Sequence, residues 1–307
     1  MKVTVLSGGV GGARFLRGVV AVVDPGNVSI IGNVADDIEV LGLHVSPDLD
    51  SILYTLTGLG DDERGWGRAD ETWSALETVA QLGGESWFSL GDRDLGLHLV
   101  RTQLLRDGRT LTEATEQLAH ALGLEAALLP ATDDPVRTFL ETPAGTLPFQ
   151  AWFVARRHRD EVDAVHYAGA PEAKPAAGVL AAIDAADVVL IAPSNPYVSI
   201  GPILAVEEIR DRLAARTVPC VAVSPLIGGR AVKGPADRML ARLAGGTTPR
   251  HVASCYEGLI DVLVVDEADA ADLPVSPRSV VTRTLMRDPE AARKLAAAAL
   301  DAAGAPA

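Results

Sequence analysis

Met1-Lys2-Val3-Thr4-Val5-Leu6-Ser7-Gly8-Gly9-Val10-Gly11-Gly12-Ala13-Arg14 opens the chain, and the reading of this stretch decides the fold. β-Branched Val3, Thr4 and Val5 lead an apolar run that ends at Ser7, and four glycines fall among the next five residues. Phe15, Leu16, Val19 and Val20 then recur at helical spacing. The order is buried strand, tight turn, helix. A backbone without Cβ atoms lets an anion approach closely, and a new helix offers unpaired N–H groups at its positive end. Arg14 adds a cation in the first turn. Gly8, Gly9, Gly11, Gly12 and Arg14 are therefore candidates to hold the phosphates of a nucleotide-diphosphate ligand. The same glycines could instead serve helix–strand packing alone.

No Gly-Lys-Ser/Thr follows, so the turn is not a Walker A loop. The dinucleotide fingerprint is also incomplete. Arg14 stands where a third Gly or Ala belongs, and the second strand, over 28–31, ends in Gly32-Asn33 rather than a ribose-binding acid. Both features argue against nicotinamide chemistry.

Outward from this turn, further apolar runs predict strands over 126–129, 187–192, 218–223 and 259–265, alternating with helices over 178–185, 203–214 and 290–302. A β-hairpin is expected from 136–141 and 147–155 around a Thr142-to-Gly145 turn. Between about 60 and 125 the pattern is mostly helical, with a helix over 70–82 and another starting near Ser89, which stands at capping-box spacing from Asp92. Thr110-x-x-Glu113 is a cleaner box, opening a helix that runs to 122. The expected fold is one α/β domain over 1–307. It is a Rossmann-like, mostly parallel sheet flanked by helices, with a largely helical insertion around 60–125, a β-hairpin and an Ala-rich tail.

The 307 residues are 48% hydrophobic and 22% charged, ordinary for a globular protein with a sizeable core. The net charge of −14 argues against nucleic acid or an anionic membrane as partner. Cys220 and Cys255 provide no disulfide framework and no metal-ligand spacing. No stretch approaches the roughly 20 apolar residues of a membrane span, and the first apolar run passes straight into the glycine turn, unlike a signal peptide. A cytoplasmic protein is expected, and a homodimer on the frequency of that state among such enzymes.

Ligands of open α/β sheets gather outside the carboxyl ends of the strands. Beyond the glycine turn, those ends carry Asn33, Asp36 and Asp37, then Thr132, Asp133 and Asp134, then Ser194 and Asn195, then Ser224 with Gly228-Gly229 and Lys233. Asp48 and Asp50 are near the second group in sequence. Carboxylates repel a diphosphate unless they hold Mg²⁺, which takes one or two of them plus phosphate oxygens. Asp37 and Asp50 are the metal candidates, and one of the acidic cluster could take the proton of an attacking hydroxyl. The alternative for each Asp is a helix or turn cap. Lys233 and the amides near Gly228 could neutralise phosphate charge. His98, beside Arg101 on a predicted helix, could face the site but is assigned a structural role; one of Trp66, Trp73 and Trp87 could stack on a flat heterocycle, but the three are assigned to the core.

The strings Ser7-to-Gly12, Asn33-x-Ala35-Asp36-Asp37, Ser46-Pro47-Asp48-Leu49-Asp50, Leu90-to-Asp94, Asp133-to-Val136, Ser194-to-Ile203 and Ser224-to-Gly229 resemble the 2-phospho-L-lactate transferase family, from Met1 to about Asp266. The resemblance implies a step in the biosynthesis of the deazaflavin coenzyme F420. The terminal hydroxyl of 7,8-didemethyl-8-hydroxy-5-deazariboflavin (Fo) attacks the phosphorus bearing a three-carbon acid, Mg²⁺ assists, and GMP leaves. By the same resemblance Asp50, Ser89, Arg93, Ser194 and Asn195 contact Fo. Gly8 to Gly12 and the Ser224-to-Gly229 loop hold the guanosine diphosphate. The Gly8-Gly9-Val10-Gly11-Gly12-Ala13-Arg14 variant resembles the actinobacterial branch, whose donor carries phosphoenolpyruvate. The competing expectation is a nucleotide-sugar-binding regulator of carbon metabolism, which needs only the phosphate cradle.

Overall fold

Seven short strands lie side by side and point the same way: β1 (Val3–Ser7), β2 (Val28–Gly32), β3 (Ala127–Pro130), β4 (Val188–Ile191), β5 (Cys220–Val223), β6 (Val262–Asp266) and β7 (Arg278–Thr282). Their order is β7-β6-β5-β4-β1-β2-β3, parallel throughout. The computed structural model describes residues 1–304; the end of the Ala-rich tail lies outside the described residues. A parallel sheet is covered on both faces, which is why its strands read as continuous apolar runs. Val3, Val5 and Ile30 meet Phe15, Leu16, Ile52 and Leu295 on one face. Leu6, Ile31, Val189 and Ile191 meet Ile203, Leu240 and Val252 on the other.

Four helices matter for the site: α1 (Gly9–Val19), α2 (Pro47–Leu56), α3 (Asp92–Arg106) and α4 (Pro289–Ala302). α1 packs on α4 so closely that a Cβ at Gly18 would meet the Ala292 carbonyl. Between α2 and β3 the chain forms the helices Ser74–Gln81, α3 and Leu111–Ala121. The Thr110–Glu113 capping box is present. Ser89 and Asp92 do not form one. Asp92 instead accepts from the amides of Ser74 and Ala75, so it caps the preceding helix, which begins later than its periodicity suggests.

Three other sequence expectations are corrected. The second hairpin strand is Gly145–Pro148, and Ala151–Ala155 turns as a π-helix that buries Trp152 with Phe149, Leu140 and Met239. Proline supplies no N–H to extend the ladder, and the aromatic residues beyond it pack better in a turn than on an edge. A third strand, Ala164–Ala168, completes this small sheet. The helix expected over 203–214 is two pieces, Gly201–Leu204 and Glu207–Ala214. β7 escaped notice because it is an edge strand whose residues are exposed or half-buried.

Candidate active site

The strand order runs outward from β1 in both directions, so the chain changes direction between β1 and β4, and a crevice opens at their carboxyl ends. A cavity of about 790 Å³ occupies it, within the size range of small-molecule sites. Gly8, Gly9, Val10, Gly11 and Arg14 line one flank; Asp48, Asp50, Ser89, Asp94 and His98 line another; Ser194 and Asn195 also line it.

At the opening turn the strand passes almost directly into the helix. Gly9, with φ of +70°, already begins α1, so three of the four glycines are helical rather than loop residues. A Cβ on Gly11 would sit 2.9 Å from the Pro193 carbonyl oxygen, and one on Gly12 would strike the Ser7 and Ser194 hydroxyls. Gly12 therefore packs against the chain and is not on the cavity wall. The Gly9 amide donates to Asp48 Oδ1 at 2.8 Å, and Asn33 Nδ2 donates to Asp48 Oδ2 at 2.9 Å. Asn33 is thus a buried holder of Asp48 rather than a ligand contact. The amides of Val10 and Gly11 have no acceptor among the described residues. The Ser194 hydroxyl donates to the Gly8 carbonyl at 2.7 Å, and Asn195 Oδ1 accepts from the Tyr197 amide at 2.9 Å.

The loop after β5 divides. Ser224 and Lys233 line the cavity. Gly228 and Gly229 do not, because their amides donate to Asp269 at 2.9 and 2.8 Å. Those amides bind an anion as expected, but the anion is the protein's own carboxylate. Lys233 and Arg14 both come close to Gly65, on the side a Cβ would occupy, and neither has an acidic partner among the described residues. Two unneutralised cations thus border one cavity.

Asp50 is buried beneath the opposite flank. Both of its oxygens accept from Arg101, Oδ2 from Nη1 at 3.1 Å, and Arg101 is 1% exposed. His98 Nδ1 is 3.4 Å from Arg101 Nη1 and 3.8 Å from Asp50 Oδ2. The Tyr54 hydroxyl donates to Asp94 Oδ1 at 2.6 Å. Arg93, beside Asp94, points outward and is 54% exposed, 4.0 Å from Asp70 Oδ2; it is not on the cavity wall. Asp37 is also off the wall. Its Oδ2 accepts from Ser46 at 2.9 Å and lies 2.9 Å from His44 Nε2.

Burial raises Asp48 and Asp94 to about 6, with the neighbouring carboxylates adding to the effect, and raises Asp36 well above the usual range. Burial lowers His98 to about 4, so its contact with Asp50 is that of a neutral ring. Among the described residues no three His, Cys, Asp or Glu side chains are grouped to hold a metal. Mg²⁺ needs fewer, since substrate phosphates and waters complete its shell. Of the cavity carboxylates only Asp50 has a cation beside it among the described residues; Asp94 is held by Tyr54, whereas Asp36 lies near Asp48 and its Oδ1 is buried with no partner. Asp36 and Asp48 fit a cation at the cavity better than Asp37, which is off the wall although its Oδ1 is also buried without a partner, or Asp50, whose oxygens are engaged by Arg101.

Sequence reading passed over Tyr54 and Asp94 and favoured structural roles for His98 and Trp66, both of which line the cavity; Trp66 and Trp87 are exposed rather than core. Asp94, His98 and Arg101 stand at i, i+4 and i+7, one face of α3. That face is buried, whereas Leu99 and Val100 are 56% and 42% exposed. A polar stripe at helical spacing beside an apolar one was the available signal.

Comparisons with known proteins place the chain in a family. The family model described as 2-phospho-L-lactate transferase CofD matches residues 3–299. The chain is 45% identical over 311 residues to the phosphoenolpyruvate transferase of Kitasatospora aureofaciens, covering 98% of this chain and 97% of that one. It is 44% identical over 317 residues to the phosphoenolpyruvate transferase of Thermobifida fusca, covering 99% and 98%. Protein BH3568 from Bacillus halodurans has a similar fold, with a TM-score of 0.65 at 20% identity over 97% of this chain and 99% of that one. The chain is a transferase, and it belongs to the 2-phospho-L-lactate transferase CofD family.

Proposed function

We propose that this protein acts in coenzyme F420 biosynthesis, transferring a phosphoenolpyruvyl group, or its 2-phospho-L-lactyl counterpart, from a guanosine diphosphate-linked donor to the terminal hydroxyl of Fo. The observation that carries this reading is the division of one large cavity into two chemistries. Arg14, Lys233 and the free amides of α1 supply positive potential for a diphosphate. Asp50, Asp94 and His98 make a polar, carboxylate-bearing flank that repels phosphate and suits a neutral heterocycle with its hydroxylated side chain. The names of the relatives favour the phosphoenolpyruvyl donor.

In the reaction, the Fo hydroxyl oxygen forms a bond to the phosphorus carrying the three-carbon acid, and the bond from that phosphorus to the GMP oxygen breaks. Arg14 and Lys233 take up the charge that moves onto GMP. The hydroxyl proton goes to Asp94, a cavity carboxylate that burial disposes to accept it. Asp50, already paired with Arg101, orients the acceptor. Asp36 and Asp48 would hold a Mg²⁺ ion, whose chemistry is to neutralise diphosphate charge.

The test is incubation with Fo, Mg²⁺ and each guanylated donor, followed by mass spectrometry. GMP and a phosphodiester of Fo are expected, more rapidly with the phosphoenolpyruvyl donor. Tight guanosine-nucleotide binding with no product from either donor would favour the regulatory alternative.

A further inference from the structure

His98 is 2% exposed, yet it belongs to the cavity wall. Its Nδ1 is 3.4 Å from Arg101 Nη1, and a guanidinium can only donate. Nδ1 must therefore be the accepting nitrogen, and the single ring proton resides on Nε2. Nε2 has no hydrogen-bond partner among the described residues. It is also absent from the polar atoms sealed in the core without a partner, a set that includes Arg101 Nε, so it keeps its access to the cavity. Arg101 cannot turn away to release the ring, because both Asp50 oxygens hold it. Asp50 thus fixes Arg101, Arg101 fixes the tautomer of His98, and the ring offers one N–H to the cavity.

We propose that His98 is a specificity-determining contact whose Nε2–H donates to a carbonyl oxygen or imine nitrogen on the heterocycle of the acceptor substrate. The inference rests on the proposed transferase reading for the identity of that heterocycle. The donor's phosphates are drawn instead to Arg14 and Lys233, the unpaired cations of the cavity wall. The charged and titratable groups that face His98 are Asp50, Arg101 and His44; burial dominates them and keeps the ring neutral down to about pH 4. The N–H is consequently a fixed donor through the working pH range.

The experiment compares His98→Phe, His98→Gln and His98→Asn in the full chain. Gln can place an N–H near the Nε2 position, whereas the shorter Asn reaches only the Nδ1 position. With Fo as acceptor, His98→Phe and His98→Asn should raise the acceptor KM about tenfold, the scale of one lost hydrogen bond. The donor KM and the unfolding temperature should stay unchanged, and His98→Gln should remain within about threefold of the parent. Nitrogen-15 spectra of histidine-labelled protein should show the proton on Nε2. An unchanged acceptor KM in His98→Phe, a rise in donor KM instead, equal impairment of the Phe and Gln variants, or a proton on Nδ1 would each overturn the proposal. If the parent protein fails to turn over Fo, the transferase reading falls separately, and the spectra still decide whether Nε2 carries the proton.

Discussion

Helices α1 and α3 both border the cavity, and they bury opposite chemistries. α1 turns Ala13, Phe15, Leu16 and Val19 inward and leaves Arg14 for the ligand, so its apolar stripe anchors it to the sheet. α3 turns Asp94, His98 and Arg101 inward and sends Leu99 and Val100 outward. Apolar burial holds α1 whether or not a ligand exists. The inward face of α3 gains little from desolvating its charges, because a buried ion pair roughly balances its own desolvation. Such a helix makes sense as a wall built to meet a polar ligand.

The comparison breaks most visibly at Arg101. Arg101→Met leaves Asp50 buried without its cation and should destabilise the fold by about 3–5 kcal/mol. Adding Asp50→Leu should return stability to within about 1 kcal/mol of the parent, since an apolar pair can replace a buried ionic one. Transfer to Fo should fail in both proteins. Urea unfolding and a turnover assay separate these outcomes, and a double variant that regains activity would show the pair to be structural only.

Asp94→Asn probes the same face through pH. Burial holds this carboxyl at about 6 in the fold, against 3.8 when free. Between those values the folded chain binds more protons than the unfolded one, so stability is lost as pH rises through the window. The variant escapes that loss. It should be more stable at pH 7.5 by roughly 1–3 kcal/mol, with the advantage gone at pH 4. Thermal unfolding in the two buffers checks this, and an advantage that grew towards acid would refute the assignment.

The smallest effect belongs to the outward face. Leu99→Glu should change stability by less than about 0.5 kcal/mol and leave both KM values alone, as expected of a solvent-facing position. Sedimentation should be unaltered. A large loss of stability, or a change in sedimentation, would show that this side of α3 is covered in solution.

The same contrast explains what the sequence made legible. β1, β2, β4 and β5 announce themselves because a strand buried on both faces must be apolar along its length. Gly8 to Gly12 are equally plain, although their main partners are the Pro193 carbonyl, Ser7, Ser194 and Asp48. β7 was invisible because an edge strand with half-exposed residues carries no such run. Asp269, which fills the Gly228 and Gly229 amides, is distant in sequence, and no local pattern announces that a loop's anion site is already occupied. Asp94, His98 and Arg101 were readable only by asking why a helix should carry two stripes, and which one faced inward depended on tertiary packing.

The packing of α1 against α4 has a consequence for how the cavity is assembled. β1 sits between β2 and β4, and Gly18 brings α1 against the backbone of Ala292. The first helix of the chain completes its packing only against nearly the last. Helix α1, which carries Arg14 on the cavity wall, therefore docks fully only when α4 is in place. A chain lacking that helix would leave Gly18 facing a gap where the backbone of Ala292 now sits, and the first glycine turn would be mounted on a helix supported from one side fewer.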